Sequence, residues 1–183
     1  MAKVKGGRGE KVYFYGDERD CPKGKNCRLK SYLVGGDEVI VSRSFGDYAC
    51  TWFQSAKGRE TVGWIPLKNL EFVETEKNPP VADWLGEWFY YDNSIEISRD
   101  GSAENLTVRG NAFWKGIGDN VHIGEIDDAA KPSGGELKIG EDSSDEYECR
   151  VTMRLLGKFL IVSDNFRCGG ANVTFSGVYR KRK

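Results

Sequence analysis

Apolar residues in this chain almost never recur at helical spacing. They fall instead into short alternating, β-branched or aromatic runs, broken every few residues by Gly, Asn or Asp. That pattern predicts an all-β protein. In the first part the predicted strands are Lys11–Tyr15, Lys30–Val34, Asp37–Ser42, Tyr48–Gln54 and Thr61–Ile65, followed by a short helical turn at Pro66–Leu70. Five short strands in so few residues suit a small barrel. Further on, the predicted strands are Trp88–Tyr91, Ile95–Ser98, Asn105–Arg109, Ala112–Lys115, Val121–Ile126, Glu136–Ile139, Tyr147–Leu155, Phe159–Ser163 and Asn172–Tyr179. Eight or nine strands imply an antiparallel barrel or sandwich, with Val151, Met153 and Leu155 on a buried face.

Between the two groups runs Glu74-Thr75-Glu76-Lys77-Asn78-Pro79-Pro80, polar and ending in two residues that cannot donate to a sheet ladder. The division expected from it is a first domain at 1–75, a linker at 76–82 and a second domain at 83–183. With 183 residues, two small domains are well within the usual range.

The longest apolar stretches, such as Phe159-Leu160-Ile161-Val162, run four residues, far short of the about 20 that a membrane-spanning helix needs. His122 is the only histidine, so a three-His zinc site or a two-His iron site cannot be assembled within one chain. Its setting, Asn120-Val121-His122-Ile123-Gly124, reads as an ordinary strand. No Gly-rich segment has phosphate-binding spacing, and the many carboxylates single out no acid and base pair. A non-catalytic protein without cofactor or metal is expected.

Five cysteines stand at 21, 27, 50, 149 and 168, none spaced as Cys-x-x-Cys. Three lie early and two late, which suggests one bridge per domain and an oxidising compartment. A hairpin turning near Gly157-Lys158 puts Cys149 opposite residue 166, a diagonal step from Cys168, so these two are expected to pair. In the first domain Cys27 with Cys50 is preferred and Cys21 left over, with Cys21–Cys27 as the open alternative. Met1-Ala2-Lys3-Val4-Lys5 has charge but no apolar core behind it, as in a cytoplasmic chain or a mature form whose leader has been replaced by a start Met.

With 27 basic and 28 acidic side chains the net charge of −1 exerts no overall pull on nucleic acid. The distribution is uneven. Residues 1–75 carry 13 basic and 10 acidic groups, whereas 119–148 hold ten acids against Lys131 and Lys138. Two readings stand for that acidic segment: steering of a cationic partner, centred on Glu141, Asp142, Asp145 and Glu146, or plain solubility. In the first domain, period two puts Tyr48, Cys50 and Trp52 opposite Ala49 and Thr51, and points Trp64 away from its neighbours. If the small residues face inward, Tyr48, Trp52 and Trp64 line an external groove for peptide or sugar; the alternative is that they pack in a core.

Leu33-Val34-Gly35-Gly36-Asp37-Glu38-Val39-Ile40-Val41, Asp47-Tyr48-Ala49-Cys50-Thr51-Trp52-Phe53, Thr61-Val62-Gly63-Trp64-Ile65 and Leu70 together resemble a bacterial Src-homology-3-like domain over residues 10–73. The resemblance implies an extracytoplasmic module associated with cell-wall peptides or protein partners. Residues 84–180, ending in Cys168-Gly169-Gly170 and Ser176-Gly177-Val178-Tyr179, are similar to small Gram-negative envelope barrels of the lysozyme-inhibitor-like kind. That family carries Ser-Gly-x-x-Tyr in a loop entering the lysozyme cleft; here the motif is one residue shorter, which turns the Tyr to the other face. The resemblance implies protein docking to lysozyme, with Ser176 as a candidate plug. Trp84-Leu85-Gly86-Glu87-Trp88 also resembles the opening of lipocalin-like barrels, which implies the alternative of a carrier for a small apolar or sugar ligand. Taken together, the expectation is a periplasmic or secreted binding protein.

Overall fold

The computed structural model describes residues 1–7, 9–99, 101, 105–140 and 145–181. The chain forms two compact units, Met1–Thr75 and Glu76–Lys183, each built on one antiparallel sheet. No helix is long and apolar enough to cross a membrane.

The first unit contains β1 (Ala2–Val4), β2 (Lys11–Tyr15), β3 (Arg28–Val34), β4 (Glu38–Phe45), β5 (Tyr48–Gln54), β6 (Glu60–Pro66), a 3-10 turn at Leu67–Asn69, and β7 (Leu70–Phe72). The sheet order is β3-β2-β6-β5-β4-β1-β7. Leu33 on one end strand and Leu70 on the other join a single core with Val12, Phe14, Val39, Ala49 and Ile65, so the sheet curls around one apolar centre. Alternation explains which side chains enter it: on β2, Val12 and Phe14 are buried while Lys11, Tyr13 and Tyr15 face outward. Strands β1 and β7 add to the five predicted from sequence. At three residues each they are too short to show a period, yet Ala2 and Val4 are buried against the core.

The second unit starts with a helical turn, α1 (Val81–Trp84), followed by β8 (Gly86–Tyr90), β9 (Asn93–Arg99), β10 (Leu106–Lys115), β11 (Val121–Ala130), β12 (Glu136–Ile139), β13 (Val151–Leu156), β14 (Phe159–Asp164) and β15 (Gly177–Lys181). Their order, β11-β10-β9-β8-β15-β14-β13-β12, is an up-and-down meander joined between β8 and β15 and almost closed between β11 and β12. The turn α1 lies where the end of the linker is expected; it buries Trp84, whose carbonyl accepts the Trp88 indole N–H at 2.8 Å. Tyr179 is also fully buried, donating its hydroxyl to the Phe175 carbonyl at 2.9 Å, and burial pushes its phenol well above the ordinary tyrosine range.

Several strand boundaries differ from the sequence expectation. The segments predicted as Asn105–Arg109 and Ala112–Lys115 are one strand, β10, continuous through Gly110. This glycine punctuates nothing: a Cβ there would meet Ile126 at 2.9 Å and the Phe175 ring at 3.0 Å, so it serves close packing. Residues 147–150 precede β13, and 172–176 precede β15. In the latter segment Asp164 takes the place of a strand partner, accepting from the Thr174 hydroxyl at 2.7 Å, the Ser176 hydroxyl at 2.6 Å and the Phe175 N–H at 3.0 Å.

Cys149 and Cys168 are bonded, as the hairpin register expects: Leu156 pairs with Phe159 and Val151 with Asp164. The expected Cys27–Cys50 bridge is not formed. Cys27 pairs with Cys21, and Cys50 is free. Arg28, Tyr15, Trp64 and Cys50 occupy one row across four neighbouring strands. Three strand spacings of about 4.8 Å place Cys27, beside Arg28, beyond the about 7 Å that a disulfide tolerates. The loop from Gly16 to Cys27 doubles back instead, bringing Cys21 within 5.4 Å of Cys27, Cα to Cα.

Candidate functional site

The alternation that buries Val12 and Phe14 turns Tyr13 and Tyr15 onto the outer surface of the first unit. There they form part of a groove of about 590 Å³. Its walls are Lys11, Tyr13 and Tyr15 from β2, Arg28 from the start of β3, Asp47 and Tyr48 at the β4–β5 turn, and the 3-10 segment with Pro66, Leu67 and Lys68. Register sets the shape: Tyr48 is opposite Pro66, and the Leu67 N–H donates to the Asp47 carbonyl at 2.8 Å, tying the turn to the 3-10 segment.

The floor is aromatic and the walls are charged. Tyr15 and Tyr48 meet edge to face with centroids 5.2 Å apart. The Arg28 guanidinium sits 4.4 Å over the Tyr13 ring, and Lys11 sits 4.4 Å over Tyr32, whose ring meets Tyr13 edge to face at 5.9 Å. Among the described residues Lys11, Arg28 and Lys68 form no ion pair, and Asp47 is the single acid of the groove. Three cations, two of them over tyrosine faces, are an arrangement able to hold an anionic group at the wall and an apolar or planar group at the floor.

Of the aromatics singled out by sequence, only Tyr48 lines this groove. Trp64 does face outward, opposite Cys50, but is just 3% exposed. Its indole N–H donates to Asp17 at 2.8 Å, Phe45 packs at 6.1 Å, and Arg43, paired with Asp17 at 3.7 Å, lies over the ring. Trp64 is therefore a covered structural residue and no part of an open groove. Trp52 is half-buried two positions beyond Cys50, opposite exposed Val62, about 13 Å along the strand from Tyr48. Sequence reasoning missed Tyr13, Tyr15, Arg28 and Lys68. The strict alternation of Lys11-Val12-Tyr13-Phe14-Tyr15 contained the information for the two tyrosines.

In the second unit Asp145 and Glu146 are exposed, and Asp145 accepts the Tyr147 N–H at 2.8 Å. Glu141 and Asp142 lie outside the described residues. Ser176 is half-buried, and its hydroxyl both donates to Asp164 and accepts the Asp164 N–H at 3.0 Å. Tyr179, the last residue of the motif, is in the core. In the barrel, Trp84, Trp88, Met153, Phe175 and Tyr179 are among the buried side chains of one apolar core. On the outer surface, the hydrogen bond and charge of Arg154 hold the Glu136 carboxyl below its ordinary range, with Lys138 at 3.8 Å adding to the effect.

Among the described residues one grouping has metal-ligand composition, Asp20 with Cys21 and Cys27. Both its sulfurs are bonded to each other, which removes the thiolates a metal would need. Comparison with protein-family models, with curated proteins and with solved structures finds no match to this chain.

Proposed function

We propose that this protein works by binding, without catalysis, outside the cytoplasm and at the bacterial cell wall, and that the groove of the first unit takes a short acidic peptide such as a wall stem peptide. The groove carries this reading: the carboxylates of an acidic peptide would meet Arg28, Lys11 and Lys68, and its aliphatic parts would lie on Tyr15 and Tyr48. Two disulfides support an oxidising compartment. The similarity of residues 10–73 to bacterial Src-homology-3-like modules points the same way.

For the second unit we propose docking of a cationic protein, with lysozyme the first partner to test. The ten acids among residues 119–148 favour this reading, since they attract a basic surface over several Ångströms before contact. Ser176 is engaged by Asp164, so the reading rests on the acidic surface and not on a Ser176 plug. The carrier alternative is less favoured, because large side chains such as Trp84, Trp88, Phe175 and Tyr179 are buried together in the barrel core.

Calorimetric titration of the oxidised protein with a synthetic stem tripeptide containing D-glutamate and diaminopimelate tests the groove. Saturable binding is expected, weakened about tenfold or more in Tyr48→Ala and in Arg28→Ala. Absence of binding, or binding that both variants leave intact, overturns the assignment.

A further inference from the structure

The β10–β11 hairpin is longer than the barrel needs. Strand β9 pairs with β10 only through Leu106–Asn111, whereas β10 and β11 stay paired out to Lys115 and Val121. The distal half of the hairpin therefore overhangs as a two-stranded ribbon, a structure of marginal stability unless one face is covered. Its inner face is covered. Gly170 donates its N–H to the Ile123 carbonyl at 3.2 Å, and Trp114 packs on His122 with centroids 5.1 Å apart. At Gly124 a Cβ would fall 2.3 Å from the Cys168 carbonyl oxygen, so the loop held by the Cys149–Cys168 bond lies directly on the β11 backbone.

Among the described residues of the second unit, none is seen to cover the outer face in the same way. Register places Phe113 opposite Ile123 and Lys115 opposite Val121, all outward. Phe113, Val121 and Ile123 are 44%, 47% and 52% exposed, and Ile117 at the turn is 99% exposed. Four large exposed apolar side chains gathered on one overhanging ribbon are a feature of the kind that marks interaction sites. Acids lie around it: Asp119 in the turn, and Glu125 and Asp127 on the same face, all exposed. Arg109 compensates Asp127 at 3.2 Å, so Asp119 and Glu125 outweigh the single Lys115.

From this arrangement we propose that the outer face of the β10–β11 hairpin is the docking surface of the second unit, and that its occupant is a cationic protein presenting an apolar pocket flanked by Lys or Arg. Ile117 and Phe113 anchor the contact, and the acids set partner choice and encounter rate. The inference rests on the proposed docking of a cationic partner and adds where it occurs. An acidic rim disfavours anionic membrane, and it repels the identical rim of a second copy in a symmetric pairing.

Surface plasmon resonance of the full oxidised chain against c-type lysozyme, a strongly cationic globular protein, tests the proposal. Ile117→Ser and Phe113→Ser are each expected to weaken binding about tenfold, mainly through faster dissociation. Glu125→Gln with Asp119→Asn should slow association and flatten its salt dependence, while Ser176→Ala leaves binding as it is. Because Ile117 is fully exposed, Ile117→Ser leaves the fold intact, which an unchanged unfolding midpoint verifies. If the wild type does not bind lysozyme, the docking reading and this inference fall together. Should it bind and the hairpin variants bind equally well, the inference alone is overturned. A wild-type dimer in sedimentation velocity that Ile117→Ser dissociates would assign the face to a second copy and likewise overturn the cationic partner.

Discussion

Replacing Cys149 and Cys168 together by Ala should destabilise the second unit by about 3 kcal/mol and leave the first unit unmoved. The bond spans 19 positions, and the loop-entropy relation for a ring of about 20 residues gives about 3 kcal/mol at 25 °C. A structural consequence adds to this. Cys168 and the residues after it form the inner cover of the β11 overhang, through the Gly170 to Ile123 bond and the close approach at Gly124. Losing the cross-link thus frees the cover as well as the unfolded chain. Urea unfolding followed by hydrogen exchange and mass spectrometry reads the two units separately. With a slope of about 1.5 kcal/mol per molar urea, the second-unit midpoint should fall by about 2 M. Peptides from Val121–Ala130 should lose protection before those from β14. Removing Cys21–Cys27 in the same way should cost the first unit less, about 2 kcal/mol, because its loop is only six positions long. A second-unit midpoint that moves by less than a third of the expected shift, or an equal shift in both units, would refute the reasoning.

Two further predictions test the barrel. Gly124→Ala places a methyl group where the Cys168 carbonyl lies at 2.3 Å and Val173 at 2.8 Å; a loss of about 1–3 kcal/mol is expected in the urea midpoint, with increased exchange at β11. Tyr179→Phe should cost about 1 kcal/mol at pH 7 through its lost hydrogen bond to Phe175, and the cost should shrink above pH 10. Burial raises the folded phenol above its ordinary value of 10.0, so the unfolded chain ionises first as pH climbs, and the wild type loses stability from about pH 10 upward, a loss Phe does not share. Urea midpoints of both proteins at pH 7 and pH 10.5 decide it; an undiminished gap at the higher pH would contradict a buried neutral phenol.

Much of the site chemistry was hidden from sequence for identifiable physical reasons. A two-residue period tells which side of a strand a residue takes, and it put Tyr48 and Trp64 outward correctly. It does not tell whether another segment lies over that side. Asp17, Arg43 and Phe45 cover Trp64 from distant positions, while Tyr15 and Tyr48 line an open groove among the described residues. The overhang was likewise masked, because Gly110-Asn111 has the composition of a turn although Gly110 is a packing glycine inside one long strand.

By itself the sequence determined the all-β class, since alternating runs bury one face only as strands. It also determined the Cys149–Cys168 bridge, because both cysteines belong to one local hairpin whose register follows from its turn. Tertiary structure decided whatever depends on elements far apart in the chain. It made Cys27 pair with Cys21 by placing three strand spacings between Cys27 and Cys50. It drew Ala2, Leu33 and Leu70 into one core. It assembled the groove from two strands, a turn and a 3-10 segment, and left Phe113, Ile117, Val121 and Ile123 of the β10–β11 hairpin exposed. Periodicity and turn chemistry are local properties, whereas burial is set by which segments happen to lie over a surface, and that is fixed only when the whole chain has closed on its cores.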